Sequence, residues 1–82
     1  MRTEKYIDKV SEKELIKYIY YYIDSNEMEI EIYFLNKLPH RSDGPAIIWY
    51  NRNENIIKKQ YYMNGIQCDI LQEMVIQGLE TR

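Results

Sequence analysis

Between Met28 and Phe34 apolar and polar residues alternate without a break. Met28, Ile30, Ile32 and Phe34 fall on one side, and Glu27, Glu29, Glu31 and Tyr33 on the other. A period of two is that of a half-buried strand with one wet side. Ahead of it stands an aromatic and β-branched run, Tyr18-Ile19-Tyr20-Tyr21-Tyr22-Ile23, which suits a pleated surface. Between the two lies Asp24-Ser25-Asn26-Glu27, whose residue types tolerate the backbone angles of a turn. The same grammar returns further on. Ala46-Ile47-Ile48-Trp49-Tyr50 leads through Asn51-Arg52-Asn53-Glu54-Asn55 into a second run over 56–63. Asn36-Lys37 closes the first unit and Asn64-Gly65 the second, Asn-Gly being a strong hairpin signal.

The recurrence has a fixed spacing. A shift of 28 residues sets Ile19 on Ile47, Tyr22 on Tyr50, Tyr33 on Tyr61 and Asn36 on Asn64. Two copies are read, over about 18–38 and 46–66, each a β-hairpin. The ends of the chain carry helix signals. Ser11-Glu12-Lys13-Glu14 is a capping box and predicts a short helix over about 11–17, with a strand from 18; one helix over 11–23 is the alternative. Asp69, with Gln72 three residues on, caps a second segment in which Ile70, Leu71, Met74, Val75 and Leu79 share a face. This predicts an amphipathic helix over 69–79, packed on the sheet. The expected fold is thus α+β: a small antiparallel sheet of two tandem hairpins, a short N-terminal helix and a C-terminal helix.

Composition narrows the classes. The chain of 82 residues, with net charge −2, is read as a single domain, 1–82. Its one cysteine, Cys68, excludes an intrachain disulfide or a thiolate zinc site and fits a reducing compartment. No run approaches the ~18 apolar residues of a membrane span, and Met1-Arg2-Thr3-Glu4-Lys5 opens no apolar signal region, so the expected location is cytoplasmic. Thirteen Ile, nine Tyr, seven Lys and six Asn against a single alanine point to the AT-rich genome of a bacterium, phage or large virus.

The linker Pro39-His40-Arg41-Ser42-Asp43-Gly44-Pro45 leads into Ala46-Ile47-Ile48-Trp49-Tyr50, and Tyr61-Tyr62-Met63-Asn64-Gly65 follows. This string resembles the MORN-variant repeats of bacterial, phage and giant-virus proteins, closely over about 36–66 and loosely over 18–35. The resemblance implies a β-hairpin repeat used for binding or scaffolding, in some members as an antitoxin. The first copy departs from the pattern, with Lys37 where the second has Gly65.

Candidate chemistry is sparse. His40 is the sole histidine and the one side chain that titrates near neutrality unperturbed, but Ser42 and Cys68 lie at no nucleophile spacing from it. His40 and Arg41 read better as turn residues of the repeat. Glu27, Glu29 and Glu31 read as a solvated strand face sooner than as a cation site. No enzyme activity, cofactor or metal is expected. The aromatic content exceeds what one small core needs, and such rings favour protein interfaces. The first copy is also acidic: Asp24, Glu27, Glu29 and Glu31 against Lys37 give −3. The expected function is non-enzymatic protein binding, as a small inhibitor of antitoxin or phage counter-defence type. It would occlude a basic or substrate-binding surface, such as that of a nucleic-acid-handling enzyme. Its contact candidates are Tyr21, Glu27, Glu29, Glu31, Tyr33, Arg41 and Trp49. One rival is nucleic-acid binding through Arg41, Arg52, Lys58, Lys59 and the rings of the second copy. The other is a structural unit that forms homodimers through a sheet edge.

Overall fold

The computed structural model describes residues 1–68, and over them the chain forms strands alone. These are β1 (Arg2–Ile7), β2 (Glu14–Tyr21), β3 (Met28–Leu35), β4 (Leu38–Pro39), β5 (Ile47–Tyr50), β6 (Ile56–Gln60), β7 (Tyr62–Met63) and β8 (Ile66–Gln67). The α+β expectation is therefore corrected: the described residues are all-β, with no helix among them. None of them forms a helix long and apolar enough to cross a membrane. The helix expected over 69–79 lies outside the described residues.

The N-terminal helix is replaced by a turn and a strand, for a local and a tertiary reason. The Ser11 hydroxyl accepts the Lys13 amide at 3.3 Å, and Glu12 takes φ 63°, which ends any helical turn at once. The amide of Asp8 meets the Lys13 carbonyl at 2.9 Å and the amide of Glu12 meets the Asp8 carbonyl at 2.8 Å, so 8–13 closes a hairpin. β2 then pairs along its whole length, with β1 on one side and β3 on the other. Two ladders outweigh one cap, because local capping supplies only about 1 kcal/mol.

The main sheet runs β1-β2-β3-β5-β6, all antiparallel, with β4 also on β3. β4 and β5 share one edge of β3: Leu35 faces Leu38 at its end, and Ile30 to Ile32 face Trp49 to Ile47 at its start. Residues 40–46 bridge the two. β7 and β8 form a separate small ladder around Asn64-Gly65.

The repeat is visible in the pairing. In both hairpins the register slips by one residue, between Tyr20 and Tyr21 and between Trp49 and Tyr50. The residues skipped, Glu29 and Ile57, are 28 apart. The leading strands, however, are 29 apart: Tyr20 faces Ile30 while Trp49 faces Lys58. Ile19 is thus the counterpart of Ile48, both buried, and Tyr21 that of Tyr50. The hairpin tip 22–27 is one residue longer than 51–55, which absorbs the difference.

The closing turns match as well. Asn36 and Lys37 have φ 51° and 67°, and Asn64 and Gly65 have φ 51° and 82°, the double left-handed geometry of a two-residue hairpin. Glycine adopts it freely, whereas lysine is strained there by about 1 kcal/mol.

Alternation decides which side of the sheet is covered. Leu15, Tyr33 and Ile48 form the core, with Tyr6, Leu35 and Tyr50 packed against them. The covered face is therefore the one that carries Glu31 and Tyr33, and the Ile30–Ile32–Phe34 side is only half buried.

Two stability measurements follow. In urea denaturation, Leu15→Ala costs about 2–5 kcal/mol, while Ile16→Ala, one step along on the opposite face, costs about 1 kcal/mol or less. Equal losses would place both on one helical face and reject the strand. Lys37→Gly gains about 1 kcal/mol, and no gain would reject the strain at that turn.

Candidate functional site

The linker 40–46 does not hang in solvent but lies over the covered face. The Arg41 guanidinium stacks 4.2 Å from the Tyr33 ring centre and 5.0 Å from that of Tyr6. Its Nε donates to Asp43 Oδ1 at 2.5 Å, and its two terminal nitrogens donate to the Pro45 carbonyl and the Tyr6 hydroxyl, both at 3.2 Å. Tyr6 in turn donates to Asp43 Oδ2, which also takes the Lys9 amide at 2.9 Å. Gly44 completes the nest. A Cβ there would stand 2.9 Å from Arg41 Cζ, closer than real contacts allow.

A second carboxylate ties the N-terminal turn to this linker. Asp8 is fully buried. Its Oδ1 accepts the Val10 and Ser11 amides at 2.9 and 3.1 Å, and its Oδ2 the Ser42 amide at 2.5 Å. His40, 3 % exposed, accepts the Asn64 amide on Nδ1 at 3.0 Å and so holds the second closing turn against the first unit. Its Nε2 is buried with no partner among the described residues.

Glu31 is likewise turned inward. It accepts the Tyr50 hydroxyl on one oxygen and meets Lys17 Nζ at 3.4 Å on the other. Lys17 also reaches Glu4 at 3.3 Å and lies 5.7 Å from the Tyr33 ring centre. Tyr33 itself is 4 % exposed.

These environments set the ionisation. Burial pushes the Asp43 carboxyl up, but hydrogen bonds from Tyr6, the Lys9 amide and Arg41 outweigh it and the net shift is downward. Burial also lowers His40, with Asp8 opposing and Lys13 assisting, so the imidazole stays neutral below its usual range. The Tyr50 hydroxyl is raised by burial and by its bond to the Glu31 carboxylate.

The opposite face of the sheet is different. Its side chains stand in three rows across the strands: Tyr20, Ile30, Trp49 and Lys58; Thr3, Tyr18, Ile32, Ile47 and Gln60; and Lys5, Ile16 and Phe34. Four rings and four isoleucines share it. Tyr18 meets Phe34 edge-on at 5.1 Å, and Trp49 donates to Gln60 at 2.9 Å, so the surface is preset. Ile16 remains 38 % exposed and Tyr20 36 %. An open groove of about 290 Å³ runs between Ile16, Tyr18, Tyr20, Phe34, Asn36 and Lys37.

The seven contact candidates thus divide. Glu31, Tyr33 and Arg41 are internal. Trp49 belongs to the open face. Tyr21 is half buried opposite Met28, where the register slips. Glu29 is half buried, and Glu27 bonds Ser25 Oγ at 2.8 Å with Arg52 4.0 Å away. Arg52 also lies 4.5 Å from the ring centre of Tyr22, whose hydroxyl donates to the Tyr50 carbonyl at 2.6 Å and joins the two hairpin ends. Among the described residues no group of three His, Cys, Asp or Glu converges on a common point. Tyr6, Asp8 and Lys17 were not anticipated. The one signal for them is Asp8 ahead of a polar turn, since aspartate bonds backbone amides two or three residues on. Scans of the chain against protein-family models, curated proteins and solved structures return no match.

Arg41→Lys removes the fork and the stacked plane together, and should cost on the order of 2–3 kcal/mol in thermal unfolding. A loss under about 0.5 kcal/mol would mean that the linker is not clamped. The pH dependence has a definite sign. Asp43 and His40 both ionise at lower pH folded than unfolded, so each contributes stability above its unfolded value, about 3.9 and 6.5, and loses it as pH falls through the folded one. Urea midpoints should fall in two steps on acidification. His40→Gln should flatten the upper step and Asp43→Asn the lower, and a wild-type profile level between about pH 7 and 3 would refute both.

Proposed function

We propose that this chain is a non-enzymatic protein-binding module and that its contact surface is the open aliphatic and aromatic face of the sheet. The observation that carries this reading is the inversion of the two faces. Ion pairs and hydrogen-bonded carboxylates lie under the linker, while Ile16, Tyr18, Tyr20, Phe34 and Trp49 stand on the side that the linker leaves open. Contiguous apolar surface of this kind marks an interaction site, because covering it removes apolar area from water at roughly 25 cal/mol per Å². Fixed rings add area at low entropy cost.

The contact therefore moves from the glutamate side to the opposite face, with Trp49 common to both. A preset face of this kind suits a small inhibitor that occludes a partner, of antitoxin or phage counter-defence type. The resemblance to MORN-variant repeats supports binding over chemistry, as does the engagement of His40 Nδ1 inside the fold. A cytoplasmic setting agrees with a sequence that has a single cysteine, Cys68. Lys5 and Lys58 flank the rings, which is the feature a nucleic-acid reading would use.

Photo-crosslinking in cells that naturally make the protein tests this. A photoreactive side chain at Tyr20 should give discrete adducts with a protein, and one at Ile23, 81 % exposed on a hairpin tip, should give none. No adduct from position 20, or the same pattern from both positions, would refute the assigned face. Adducts that nuclease removes would transfer it to nucleic acid.

A further inference from the structure

We propose that the outer edge of β6 is a docking site for an extended acidic segment of a partner protein, which joins the sheet as an antiparallel strand. The proposal rests on the edge of β6 and shares only Lys58 with the open face.

β6 ends the strand order, with β5 on one side and no strand on the other among the described residues. It is β3 displaced by 28 residues, down to the skipped residue, Glu29 in one and Ile57 in the other. In β3, Ile30, Glu31 and Ile32 receive β5 on the far edge. The positions 28 further on are Lys58, Lys59 and Gln60. The fold thus repeats at β6 the backbone arrangement that already accepts a strand at β3.

Side-chain chemistry names the occupant. Lys58 and Lys59 are exposed, and neither makes an ion pair among the described residues. Lys58 stands on the open face beside Trp49, and Lys59 on the covered face beside Ile48, so cations flank the edge on both sides. Ile56 and Ile57 are 49 % and 62 % exposed next to them. A groove of about 330 Å³ follows Ile56, Ile57, Lys58, Lys59 and Tyr61.

An incoming antiparallel strand meets residue 59 first, then 58, 57 and 56. Complementarity calls for two acidic residues followed by two β-branched apolar ones. Opposite charges across a ladder attract and like charges repel. The same lysines therefore oppose pairing of β6 with β6 of a second copy, where cations would face cations, and this is how exposed edges are kept from self-association. A carboxylate strand turns that repulsion into recognition, with backbone bonds for affinity and the charges for selectivity.

The test uses the intact chain and the peptide Ser-Thr-Glu-Glu-Val-Ile-Thr-Ser, followed by amide NMR and hydrogen exchange. The peptide should slow exchange at the β6 amides that point away from β5 and leave β1 unchanged. The double variant Lys58→Glu with Lys59→Glu should weaken binding roughly tenfold and should instead take the Lys-Lys counterpart of the peptide. Unaltered β5 shifts show that the variant has folded, and Lys58→Gln with Lys59→Gln serves if it has not. Tyr20→Glu should leave the peptide effect intact, so failure here and failure of the open-face reading are told apart. No slowing at β6, equal action of acidic and basic peptides, protection of β1 instead, or protection by a single-stranded oligonucleotide would each overturn the proposal.

Discussion

The structure turns on one stacked cation. Arg41 lies on the rings of Tyr33 and Tyr6 while Asp43 and the Pro45 carbonyl take its donors. Its plane is the surface on which the linker folds back over the sheet. Tyr6 brings in β1, Asp43 brings in the Lys9 amide, and Gly44 must stay small beneath the guanidinium. A charge withdrawn from water is costly unless its partners are all in place. Here the partners come from the N-terminal strand, the middle strand and the linker itself, so the nest forms only when these three meet.

From that constraint follows the uneven character of the two faces. The side under the linker holds Asp8, Glu31, Lys17 and Arg41, each bonded to groups on another element. Such a network fixes direction and register, because every polar atom must find its own partner. It shares that side with the apolar core of Leu15, Ile19 and Ile48, and Ile16, Ile30, Ile32 and Ile47 fall on the other. In a larger protein a second layer would cover them. In the described part of this chain they remain the face of the sheet with the fewest covering atoms.

Much of the strand pattern was legible in the residues. The Asn36-Lys37 and Asn64-Gly65 turns, the polar tips and the alternation over 28–34 all report short-range geometry, which a linear string carries well. The capping box misled because Ser11 and Glu14 speak only for the first turn of a helix, while the fate of β2 is decided by β1 and β3 on its flanks. β1 itself has mixed, largely charged residues and little period, and its pairing partner is what makes it a strand. The covered face was hidden for the same reason. Glu31 and Tyr33 look like a wet side until Lys17, Tyr50 and Arg41, distant in the chain, arrive to neutralise and stack on them. Of the seven contacts that the sequence suggests, only Trp49 lies on the open face, because exposure is a property of neighbours and not of residue type.

The extra residue in the first hairpin tip has a consequence for how such a unit can be altered. Segments 22–27 and 51–55 span the same gap with different lengths, and the ladders below them keep the same slip. Chain length at the tip is therefore uncoupled from the order beneath it. Foreign sequence spliced there would be carried at the end of a rigid stalk, and a lineage that lengthens or shortens this point can vary what it presents while the scaffold is inherited unchanged.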